Sequence, residues 1–186
     1  MEEDIKARLD KLKQHMAGKG FASGKGFTTE VDIQIFSYAP EDEMVVRYFV
    51  SQVLLDASLP YRLHELNLYK LFLSICRDKR ILDAIPPMEE KKGKKYLLSQ
   101  LTRLASNKIL LSKLNEMPYK EGDVVLLTGV GEAYPFVRVH SLLEAMPSVF
   151  ENIPVVVFYP GSYNGQELKL FDKLPPSSYY RAFKII

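Results

Sequence analysis

The stretch DVVLLTGVGEAYPFVRVHSLLEAMPSVFENIPVVVFYPG, residues 123–161, decides how this chain folds. Its two ends, DVVLLTG (123–129) and IPVVVFYPG (153–161), are nearly continuous apolar runs, as in strands covered on both faces. Between them Phe136, Val139, Leu143 and Met146 recur at helical spacing, which predicts an inward-facing helix over about 136–146. Strand, helix and strand in this order imply a right-handed parallel crossover. The TGVG turn then falls at the carboxyl end of a strand, the edge where open α/β sheets hold their ligands.

Comparable signals continue on either side. VDIQIFSY (31–38) alternates like a strand with Val31, Ile33 and Ile35 on one face, and PEDEMVVRYFVSQVLLDA (40–57) is a helix with Val45, Phe49 and Val53 at four-residue spacing. YRLHELNL (61–68) is a second strand, running into a helix that stops before Pro86-Pro87. Leu97, Leu101 and Leu104 mark one later helix, and Leu110, Leu111 and Leu114 another, with Ser106 as the N-cap between them. YYRAFKII closes the chain as an edge strand. Residues 2–16 are helical, with Ile5, Leu9, Leu12 and Met16 on one stripe, and a glycine-rich connection follows. The expectation is a single α/β domain over 1–186 with a central, mainly parallel sheet flanked by helices. Its topology is Rossmann-like or P-loop-like without a functional P-loop. Residues 1–30 form an N-terminal helix and linker, and 69–117 a helical excursion.

Composition narrows the function. With 47% hydrophobic and 26% charged residues the chain can bury a full core. No apolar run approaches the roughly 20 residues that span a bilayer, and the charged N-terminus lacks the apolar segment of a secretory signal, so a cytoplasmic protein without membrane contact is expected. The one cysteine, Cys76, lies in an apolar run and reads as a buried structural thiol. The net charge of +2 is unevenly spread. Residues 31–60 carry five acidic side chains and one basic, whereas 77–120 carry eleven basic and five acidic. The second imbalance would suit nucleic acid or an acidic partner, although a solvated helical face explains it as well.

Several motifs fall short of chemistry. GKGFASGKG (18–26) fails the P-loop pattern: the first glycine would fall on Lys19, no hydroxyl follows Lys25, and the stretch precedes the first strand. At the first strand-to-helix junction Glu41, Asp42 and Glu43 occupy the helix end and would repel a phosphate; helix capping is favoured over a cation site. At TGVG, Gly129 and Gly131 permit positive φ and close approach, and Arg138 is near enough to neutralise an anion. Yet Glu132 adds negative charge, and Tyr134-Pro135 delays the helix, so a structural turn is preferred. FYPGSYNGQELKLF (158–171) is either a hairpin turning at Asn164-Gly165 or a loop over the sheet's end. Tyr159, Gly161, Tyr163 and Gln166 make it a candidate interaction or ligand loop. His140 reads as a satisfied structural histidine, His15 and His64 lie in unrelated segments, and with one cysteine no zinc site is readable. Ser162 lacks the glycine pattern of a nucleophile elbow, so no catalytic residue, metal or cofactor is nominated.

IFSYAPEDEMVVRYF, DVVLLTGVGEAYPFVRVHSLLEAM, PVVVFYPGSYNGQELKLF and YYRAFKI together resemble the BrxB family of bacterial BREX phage-defence systems, over about Val31 to Ile186 and most specifically from Asp123 onward. The resemblance implies membership of a multi-protein system. It also implies a role as an accessory subunit contacting PglZ, that system's alkaline-phosphatase-superfamily member, and it supplies no catalytic residue to carry over. The expected function is therefore a non-catalytic adaptor presenting the loops around 129–138 and 160–166. A nucleotide-binding or hydrolytic protein using TGVG with Arg138 is the alternative. A DNA-binding subunit using Lys91, Lys92, Lys94, Lys95, Arg103 and Lys108 ranks last, because Tyr96 is the one aromatic among those charges.

Overall fold

A computed structural model describes residues 4–18, 20–23, 33–179 and 182–186. The two apolar runs at the centre of the chain are β3 (Val124–Thr128) and β4 (Val155–Tyr163), and they pair in parallel. Strands β1 (Ile33–Tyr38) and β2 (Leu63–Asn67) extend the sheet on either side, and the short closing strand β7 (Phe183–Lys184) lies beyond β1. The spatial order is β2-β3-β4-β1-β7, all parallel. An antiparallel extension, β5 (Glu167–Leu170) with β6 (Ser177–Ser178), continues from the far end of β4.

Because side chains alternate across a strand, this sheet feeds two cores. Phe36, Tyr38, Val124, Leu126, Val156 and Phe158 face α1 (Ile5–Met16) and α2 (Glu43–Val53). Ile33, Ile35, Val125, Leu127, Val155 and Val157 face the opposite way, toward α3 (Leu68–Asp78), α5 (Lys94–Leu104), α6 (Asn107–Asn115) and α8 (Val139–Ala145). All six residues of β1 are buried, Gln34, Phe36 and Tyr38 as well as Ile33 and Ile35, so the alternation of 31–38 does not mark a half-exposed strand. Val31 and Asp32, with the glycine-rich stretch from 24 onward, lie outside the described residues.

Two helix boundaries differ from the expectation. α3 ends at Asp78, where Arg80 takes a left-handed conformation (φ 56°) and the Ile81 amide reaches back to the Cys76 carbonyl, a Schellman-type stop. Pro86 and Pro87 then open α4 (Ile85–Lys92) rather than ending its predecessor, since the first turn of a helix has no use for those amides. The helix expected over about 136–146 is the shorter α8 (Val139–Ala145), and a separate turn precedes it. A one-turn helix α7 (Val130–Ala133) stops at Tyr134, which is extended (φ −70°, ψ 138°) as residues before proline tend to be, and α8 begins only at Val139. Phe136 still packs inward, stacked on Phe72 with centroids 4.8 Å apart.

Candidate functional site

The TGVG turn sits at the carboxyl edge of the sheet, and packing explains its first glycine. Gly129 has φ 68°, in the left-handed region, and a Cβ there would lie 2.5 Å from Asn67 Oδ1. That oxygen is not free to move cheaply, because it caps α3 by accepting from the Lys70 amide at 3.0 Å. Gly131 does not use the positive φ expected of it. It lies inside α7, where a Cβ would crowd the Phe171 ring (3.0 Å) and Pro160 (3.2 Å). With only four residues, α7 offers little of the aligned-amide field that holds a phosphate.

Two clefts flank this turn. The first, of about 330 Å³, lies beside α2 and is lined by Glu43, Glu65 and Glu132 with Tyr38, Arg47 and Thr128. Its polar groups are interlocked. Tyr38 donates to Glu43 at 2.6 Å; Arg47 donates to Glu43 at 2.7 Å and reaches Glu132 at 3.0 Å; Thr128 donates to Glu65 at 2.7 Å. Burial and then the neighbouring Glu43 carboxylate hold the Tyr38 phenol well above its ordinary value, so it acts as a donor and not as a base. Three carboxylates against Arg47 and the more distant Lys70 leave the cleft net negative, hostile to a phosphate. Of the acidic triplet only Glu43 enters this network. Glu41 and Asp42 stand in a 3-10 turn (Pro40–Asp42), and neither that turn nor α2 has a side-chain cap, so the expected capping does not form and their charges act on the helix end alone. Among the described residues no cluster of His, Cys, Asp or Glu could hold a metal ion.

The second cleft, of about 410 Å³, opens on the other side of the turn, between the start of α8 and the β4–β5 hairpin. Its lining joins apolar side chains, Val137 and Leu170 among them, to polar surface that includes Tyr159, and among the described residues Arg138 and His140 are its only side chains able to carry positive charge. Among the described residues no carboxylate lines it. Tyr159 is almost fully covered, and burial, reinforced by Asp172, raises its phenol above the ordinary value. His140 reaches Ser141 Oγ at 3.1 Å and borders the cleft, rather than being enclosed in the core.

The 158–171 segment is a hairpin, the first of its two readings. Asn164 Oδ1 accepts from the amides of Gln166 and Glu167, and Gly165 takes φ 93°. Gly161 (φ 144°) lies against the Lys169 carbonyl with no room for a Cβ. Tyr163, offered by the sequence as a contact residue, is instead buried, its hydroxyl donating to the carbonyls of Tyr179 (3.2 Å) and Ala182 (2.9 Å). Gly129, Gly161 and Tyr163 thus build the edge, while Arg138 and Tyr159 meet in the second cleft beside Gly131. Gln166 stays exposed at the hairpin tip.

One cluster was not legible as a site. At the amino edge Asp123 is 3% exposed and accepts from Arg62 twice (3.0 Å each), from His64 (2.9 Å) and from the Lys120 amide (3.0 Å). Burial pushes this carboxyl up, but its donors together outweigh burial and hold it below the usual carboxylate range. Arg62 and His64 lie about sixty residues upstream, so only the β2–β3 pairing reveals the group. The basic side chains of the excursion other than the part-buried Lys113 are exposed, and Lys91, Lys92, Lys94 and Lys95 surround Gly93 between α4 and α5. Lys92 lies over the Tyr96 ring at 5.9 Å. Cys76 is fully buried, and burial raises its thiol, as suits a structural residue. No helix among the described residues is long and apolar enough to cross a membrane.

The family model described as BREX protein BrxB matches residues 64–185. Two similar proteins carry the same name. One, from Bacillus cereus (strain H3081.97), is 36% identical over 98% of this chain and 97% of its own length. The other, from Escherichia coli O9:H4 (strain HS), is 27% identical over 98% of this chain and 92% of its own. No solved structure matches. The family model's match over 64–185 and the full-length likeness to these proteins lead to one conclusion: the chain belongs to the BrxB family of BREX proteins.

Proposed function

We propose that the chain is a non-catalytic accessory subunit of a BREX phage-defence system, binding other BREX proteins and PglZ foremost, through the loops at the carboxyl edge of its sheet. The observation that carries this reading is the state of that edge. Where an α/β enzyme of this layout would hold a phosphate, Arg47 bridges Glu43 and Glu132 and Asn67 packs against Gly129, so the described polar groups of the cleft beside α2 are already engaged with one another. Membership of the family supplies the system and its role in phage defence. Co-purification with PglZ, with the remaining subunits present, tests the assignment; separation at micromolar concentration refutes it. The rival nucleotide reading requires millimolar ATP or GTP with magnesium to raise Tm, as any ligand preferring the folded state must, and we expect no shift.

A second reading, weak or indirect association with DNA, draws on the four exposed lysines around Gly93. It requires retention on duplex DNA that falls steeply with salt.

A further inference from the structure

We propose that the cleft between α8 and the β4–β5 hairpin is a socket for a partner protein's peptide segment, one that pairs a large apolar side chain with a neighbouring carboxylate. This deepens the adaptor reading and rests on it, assigning the docking to one of the two clefts.

The two clefts share the turn 129–134 yet have opposite character, and that contrast selects the occupant. In the cleft beside α2 every carboxylate already has a donor or cation, and Arg47 is spent on two glutamates. Across the turn, the Arg138 side chain has no hydrogen-bond or ion-pair partner among the described residues, none of which lines the cavity with a carboxylate to supply one. Its guanidinium offers a planar fork of donors that matches a carboxylate, and the His140 ring, which also reaches Ser141, shares the lining. Val137, Leu170 and Leu174 line the same cleft and give it apolar surface that suits an apolar group. A volume of about 410 Å³ is within the roughly 300–1,000 Å³ usual for binding sites and holds a side chain rather than a folded element. Tyr134 at the mouth is 36% exposed and braced edge-on against Phe171 (6.3 Å), an aromatic placed as interface anchors commonly are. Nucleic acid fits the site poorly, because two basic groups beside apolar surface make no backbone-tracking groove.

The test uses the full chain expressed with its complete operon. A photo-crosslinking phenylalanine derivative replaces Tyr134 in one sample and exposed Leu98 of α5 in another, and mass spectrometry maps the adducts. We expect the Tyr134 position to capture a BREX subunit at a segment with Leu, Ile or Phe within two residues of Asp or Glu, and the Leu98 position not to capture that segment. Arg138→Glu should cut the yield at least tenfold, and Arg138→Lys less, with Tm unchanged in both because Arg138 is exposed. A partner retained on the unmodified chain with Tyr134 silent sinks the socket and leaves the adaptor reading standing. Loss of every partner from the unmodified chain sinks the adaptor reading itself. Capture of a segment without a carboxylate, of nucleic acid or of this same chain, or a yield indifferent to Arg138→Glu, overturns the proposal.

Discussion

Gly129→Ala measures whether the TGVG glycine serves the fold or a ligand. The substitution places a Cβ on a backbone at φ 68°, a conformation that costs a non-glycine residue about 1 kcal/mol. The same atom would stand 2.5 Å from Asn67 Oδ1 and 2.8 Å from its Cγ, so the Asn67 side chain must leave its place. Leaving breaks the cap on Lys70 N, worth about 1 kcal/mol by itself. The two terms sum to about 2 kcal/mol, which for a chain of this length lowers Tm by roughly 4–8 °C. Asn67→Ala alone should cost about 1 kcal/mol, and the double variant no more than Gly129→Ala, because the cap can be lost only once. A coupling of about 1 kcal/mol in urea-denaturation cycles is therefore expected. Strict additivity, or a Gly129→Ala protein within about 0.5 kcal/mol of wild type, would refute this account of the turn.

Asp123→Ala removes the acceptor of four hydrogen bonds and leaves the Lys120 amide unpaired, so a loss of about 2–4 kcal/mol is expected in chemical denaturation. Since Asp123 titrates below the ordinary carboxylate value of about 3.9 in the folded protein, its contribution is full above that value. It is lost as pH falls through the folded value, and the gap between wild type and variant should narrow in acid. Gly161→Ala drives a Cβ into the Lys169 carbonyl and to 2.8 Å from the Phe171 amide, neither of which can rotate away, and a cost of about 3 kcal/mol or more should appear as loss of soluble folded protein. Replacing Lys91, Lys92, Lys94 and Lys95 together by Gln should leave Tm within a few degrees while abolishing any salt-sensitive DNA retention, because all four are exposed. Native-state hydrogen exchange should find the α4 amides among the least protected of the helices, as α4 buries none of its residues.

The sequence made the sheet legible and left its carboxyl edge obscure, for different physical reasons. Long apolar runs such as 124–128 and 155–159 have one stable destination, a strand covered on both sides, so periodicity and length sufficed. Local turn chemistry was legible as well: Asn164-Gly165 signalled the hairpin through a side chain that bonds amides two and three residues on. Pro86-Pro87 misled because proline ends one helix and opens another with equal ease. The contrast between the two clefts could not be read at all. It depends on Arg47 meeting Glu132 and on Arg138 meeting no acid, pairings between segments far apart in the chain. The Asp123 cluster was hidden for the same reason, being set by the register of His64 against Val125.

That cluster has a bearing on where the sheet is fastened. Arg62, His64 and Asp123 tie β2 to β3 at one rim of the sheet, whereas both clefts open at the other. Alignment of the strands is thus anchored far from the surface proposed to meet partners. Changes in the loops of the opposite rim therefore need not loosen the pairing of β2 with β3.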